Sequence, residues 1–210
     1  METKLTEQQS LEVISEMINR ARNNIQKGSA NSLIYNGCAV ALVAVANFIL
    51  LHVLAETKLN LSFSVWFLMI PSAVIDYFLK RKIDCSAIVK TEIDAIVRRI
   101  WNSFSITVAL LIAALFAVSV ASDKYNYTLL ITPSIMLMVA MAESIMAKVC
   151  RYKPFFRGAV YFWIGAILCI FTYCVLKRGD IQFLILAVCM ILGFVIPGYK
   201  LNKLAENNHV

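Results

Sequence analysis

"GSANSLIYNGCAVALVAVANFILLHVLA", residues 28–55, contains no Asp, Glu, Lys or Arg. A helix needs ~20 apolar residues to cross roughly 30 Å of hydrocarbon at about 1.5 Å per residue. The run is long enough to span, and too long for the apolar core of a signal peptide. Five further charge-free runs follow, at 59–75, 100–122, 125–142, 158–176 and 181–199. Only 59–75 is short, and it reaches spanning length if Asp76 sits in the interface. These runs account for a chain of 210 residues that is 60% hydrophobic, only 16% charged, and has a mean hydropathy of +0.73. Soluble domains sit near 45–50% apolar and about 25% charged. The fold class expected is therefore an all-α membrane protein with six transmembrane helices, at about 30–54, 60–79, 100–122, 126–147, 158–176 and 181–199.

Charge distribution orients the helices. Sixteen of the twenty cations lie in the N-terminal segment, the 80–99 linker, residues 148–157 and the C-terminal tail; Lys58, Lys124, Lys177 and Arg178 lie in the three short connections. Basic segments stay in the cytosol during insertion. Both termini are expected there, in three consecutive hairpins. The formal charge of +7 then reflects topology and attraction to anionic headgroups. Nucleic acid is not an expected partner, because the cations flank the spans and form no separate basic domain.

Outside the membrane, residues 1–29 read as a cytosolic amphipathic helix. Thr6 and Gln9 make a capping box, and Gly28 is a stop signal. Leu11, Ile14, Met17, Ile18, Ala21 and Ile25 form one apolar stripe, which lies either on the inner membrane surface or on protein. The linker keeps the helical pattern, so helices two and three extend into the cytosol and turn near Asp84–Ser86. Residues 30–200 form the six-helix domain, and 201–210 a cytosolic tail. The second helix of each hairpin contains a proline (Pro71, Pro133, Pro197), which in a membrane helix frees a carbonyl and bends the rod.

The segments "SLEVISEMINRARNNI" (10–25), "IWNSFSITVALL" (100–111), "CRYKPFFRGAVYFW" (150–163) and "VIPGYKL" (195–201) resemble a family of small integral membrane proteins of Bacteroides-type bacteria. The resemblance implies a bacterial inner-membrane location and the same topology, and brings with it no activity or catalytic residue. This chain reads "MLMVAMAES" (136–144) where relatives carry an aromatic-glycine-x-proline stretch.

Chemistry-bearing side chains are few. Ionisable groups inside a span mark functional sites by default. Asn36, Asp76, Asn102 and Glu143 form the candidate polar cluster on the cytosolic side, and Ser103 and Ser105 lie near it. Asp76 and Glu143 are expected about one turn inside the boundary, where Lys80 and Lys148 stand at i+4 and i+5. They read either as interfacial anchors or as an ion or proton relay. His52 and Glu56 share a face at i,i+4, but two ligands do not make a metal site, and no metal or cofactor is expected. The six cysteines include no C-x-x-C pair and read as small apolar side chains. With no nucleotide-binding or hydrolase motif and two histidines, catalysis is not expected. The expected function is a non-enzymatic membrane component that binds, besides the bilayer, a cytosolic protein or a second copy of itself through its cytosolic helices. The alternative is a small transporter or channel using Asp76 and Glu143.

Overall fold

The computed structural model describes residues 7–53, 64–86, 92–121 and 129–207, with side-chain surroundings for 30–53, 64–78, 81, 95–121 and 129–203. Every described residue outside the turns at 150–152 and 177–180 is helical. Helix α1 runs Glu7–Val53, and a 3₁₀ turn, Ser64–Leu68, leads into α2, Met69–Ser86. Then come α3, Glu92–Ala121; α4, Ile131–Val149; and α5, Lys153–Leu176. A last rod consists of α6, Ile181–Met190, a π-helical turn, Ile191–Val195, and α7, Ile196–Asn207.

Five helical stretches are long and apolar enough to cross a membrane: Ala30–Val53, Ala95–Ala121, Ile131–Val149, Lys153–Leu176 and Ile181–Lys203. The sixth, Ser64–Phe78, is shorter, matching the shortness of its charge-free run; residues 54–63 lie outside the described residues. Two expected boundaries differ. Helix α1 passes through Gly28 without a break, so the chain from Glu7 to Val53 is one rod and not a separate helix joined to a span. Helix α2 continues to Ser86, through the expected turn; residues 87–91 lie outside the described residues, as does Thr6 of the capping box.

The prolines stand near the starts of α-helical segments, Pro197 just after the π turn inside the last rod. Pro71 and Pro133 are the third residues of α2 and α4, and Pro154 and Pro197 the second residues of α5 and α7. The first turn of an α-helix has N–H groups without intrahelical acceptors, so a missing donor there costs little. What changes is helix type. A 3₁₀ segment precedes α2 and α4, and the π turn precedes α7, where Ile196 N–H bonds Ile191 O, five residues back.

Packing is organised around the last rod. Helix α1 lies along α6, the π turn and α7; α5 covers the other side of α6 and the π turn; α4 packs along α5 and touches α6. Helix α2 rests on α1, and α3 on α4. Phe162, fully buried on α5, is the largest side chain of the core; its ring centroid lies 5.5 Å from Phe194, which is 5.7 Å from Trp101 of α3. Gly193 makes this close approach possible, since a Cβ there would run into the Phe162 ring. Only 6% of the α3 span is buried, against 56% of the last rod. The outer helices therefore present apolar side chains such as Ile106, Leu110 and Phe116 outward, as lipid requires.

The ends of the bundle are tied by polar contacts. At one, Tyr152 Oη donates to Pro197 O at 3.3 Å, joining the α4–α5 turn to α7. At the other, Arg178 donates to Asp180 at 2.7 Å, and His52 Nε2 of α1 lies 3.5 Å from the same carboxylate. The Arg178 hydrogen bond holds the Asp180 carboxyl below the usual carboxylate range.

Candidate functional site

Helix α4 buries one face. Thr132, Met136, Val139, Ala140, Glu143, Met146 and Ala147 recur at spacings of three and four and are all buried, as the 3.6-residue period dictates for one stripe. Glu143 therefore sits on the packed stripe and not on the outer surface. It is only 1% exposed, and neither Oε1 nor Oε2 has a hydrogen-bond partner among the described residues. At Gly158 of α5 the two helices come close enough that a Cβ would stand 2.5 Å from Glu143 Oε2 and 2.9 Å from Gly193 O. The missing side chain of Gly158 thus makes the recess that the carboxylate occupies, with the Gly193 carbonyl close by.

The cation expected beside Glu143 does not reach it, and the Lys80 side chain expected beside Asp76 lies outside the described residues. Lys148, five residues on, is exposed, and no ion pair joins it to Glu143 among the described residues. The reason is angular. A five-residue offset is 500°, which places Lys148 about 140° round the helix from Glu143. Glu143 stands about one and a half turns from the end of α4, and its side chain faces the bundle interior.

Of the four expected cluster residues, the structure brings two together. Ser32 Oγ donates to Asp76 Oδ1 at 2.9 Å, and Asn36 Nδ2 donates to Ser32 O at 2.9 Å and Ser32 Oγ at 3.2 Å. One turn away, Ser72 Oγ donates to Tyr35 Oη at 3.2 Å. Asp76 is thereby buried against α1 at 8% exposure. Ser32, Tyr35 and Ser72 escaped the sequence analysis, although Ser32 and Asn36 at i,i+4 and Ser72 and Asp76 at i,i+4 are matching polar edges of neighbouring helices. Asn102 is exposed on α3, away from both groups. Its neighbours bond their own helix, Ser105 Oγ to Trp101 O at 2.9 Å and Thr107 Oγ1 to Ser103 O at 2.8 Å, as hydroxyls within helices do. Glu143 belongs to neither set.

Elsewhere, His52 Nδ1 lies 3.0 Å from Phe48 O, one turn back on its own helix; Glu56 lies outside the described residues. No group of three or more His, Cys, Asp or Glu side chains stands together among the described residues. Cys169 and Cys189 are buried free thiols, the first 3.8 Å from Met136 Sδ and the second 3.4 Å from Tyr161 O.

No family model, no curated protein and no solved structure matches this chain. Function is therefore argued from the chain's own geometry.

Proposed function

We propose that this chain is a small, non-enzymatic carrier or relay of the bacterial inner membrane, with its basic ends in the cytosol, in which Glu143 is the proton-binding group. The observation that carries this reading is a fully buried carboxylate with no donor and no cation among the described residues, facing the interior of a helix bundle. Membrane helices hold such groups at a cost of a few kcal/mol, so their presence marks a working site. A metal ion is poorly supported, since no group of three or more His, Cys, Asp or Glu side chains stands together among the described residues. A proton needs only the carboxylate. Asp76 is set aside from this role, because its Ser32 bond makes it part of the α1–α2 contact.

Infrared spectroscopy of the reconstituted protein tests the reading. A carboxylic-acid carbonyl band that rises and falls with bulk pH, and is missing in Glu143→Gln, is the expected result. A Glu143 band that ignores bulk pH contradicts it, because a carrier must exchange its proton with water.

A second reading has its own support. Helix α1 continues for roughly six turns N-terminal to its apolar span as one unbroken rod, a lever suited to binding a cytosolic protein or a second copy. Co-purification that depends on residues 7–29 and not on Glu143 would favour it.

A further inference from the structure

The end of α4 and the start of α5 carry three cations that the proton-binding reading does not use. Cys150–Tyr152 form a tight turn in which Arg151 takes φ 49°, in the left-handed region, while Cys150 N–H bonds Met146 O and Tyr152 N–H bonds Ala147 O. The turn sets Lys148 beside Lys153 and Arg157, and the three line one recess of about 390 Å³ whose other walls are Ala147 and Phe156. All three cations are exposed, and none has an ion pair among the described residues. Three like charges around one opening repel one another. The start of α5 adds the positive end of a 24-residue helix dipole to the same place. An anion relieves all of these at once.

Position selects the kind of anion. The recess stands where the apolar α4 stripe ends, the level at which the proposed topology puts the headgroups, and Phe156 is 49% exposed there, offering apolar surface beside the charges. Arg and Lys together suit a phosphate, the Arg fork giving direction and the Lys groups charge. We propose that Lys148, Lys153 and Arg157 form a phosphate site at the membrane boundary, filled by the headgroup of an anionic phospholipid.

Native mass spectrometry from nanodiscs of mixed phosphatidylglycerol and phosphatidylcholine, together with thermal melting in each lipid alone, tests the site. Wild type should retain phosphatidylglycerol preferentially, and Lys148→Gln, Lys153→Gln and Arg157→Gln should each weaken that preference about fivefold. Lys200→Gln/Lys203→Gln, cations at the same end but outside the recess, should leave it unchanged and so serve as the control for diffuse attraction. Raised melting with millimolar inorganic phosphate in pure phosphatidylcholine, lost in the same three variants, would keep the phosphate site but make solution its source. Equal lipid preference in wild type and the recess variants, or an equal loss in the Lys200/Lys203 control, would overturn the site. Circular dichroism of each variant separates these outcomes from misfolding.

Discussion

Glu143 and Gly158 occupy the same space: the carboxylate fills the volume that a Cβ on α5 would take, with Oε2 2.5 Å from that position. The smallest side chain on one helix is what admits the ionisable side chain of the other. Gly158→Ala should therefore lower stability in detergent by about 1–3 kcal/mol, the range for overpacking a close-packed interior. Adding Glu143→Ala should recover part of the loss and not all, because the Gly193 carbonyl, 2.9 Å from the same position, stays. No effect of Gly158→Ala would mean that α4 and α5 do not meet here, and full recovery would mean that the Gly193 carbonyl does not crowd this position.

The Asn36–Ser32–Asp76 group should behave as structure. Ser32→Ala removes the hydroxyl that bonds Asp76 and should cost about 0.6–1.5 kcal/mol, the range for such bonds in membranes and in water. Asn102→Ala, at an exposed position, should stay within about 0.5 kcal/mol. Thermal melts of the two variants side by side check the ordering; the reverse order would place Asn102 in a contact and Ser32 outside one.

At the opposite end, the contribution of Asp180 should depend on pH with a definite sign. Its folded carboxyl titrates below the unfolded value because Arg178 donates to the charged form. Such a group stabilises above its unfolded pKa of about 3.9, and the stabilisation fades as pH falls through the lower folded value. The melting difference between wild type and Asp180→Asn should be small, since Arg178 is half exposed, constant above about pH 5, and vanishing in stronger acid. A difference that grows on acidification contradicts the pairing.

Much of the architecture was legible because hydrocarbon thickness imposes a length, and length is written in charge-free runs. The place of Glu143 near the end of α4 followed from the same counting. Its direction did not. In water an amphipathic helix reveals its inner face by the polarity of the outer one, but α4 meets protein on one side and lipid on the other, and both select apolar side chains. Met141 and Ile145 outside read like Met136 and Met146 inside. Gly28 misled for a different reason. Glycine within a helix costs roughly 1 kcal/mol, and the packing of Ala30 and Leu33 against Gly198 of α7 holds α1 straight just beyond it. Proline positions were legible while their effect was not, because Pro71 and Pro133 stand near the starts of their α-helices and Pro197 follows a π turn inside the last rod. The Ser32–Asp76 bond needed the pairing of α1 with α2, which no single-helix pattern contains.

Proton flux into proteoliposomes, followed with a trapped pH-sensitive dye under an imposed gradient, tests the role of Glu143 most directly. Wild type should acidify the lumen faster than protein-free vesicles, and Glu143→Gln, with unchanged helicity, should fall to the protein-free rate while Asp76→Asn keeps most of the flux. Equal rates for wild type and Glu143→Gln, or no flux above the protein-free rate in either, would contradict the proposal that Glu143 carries a proton.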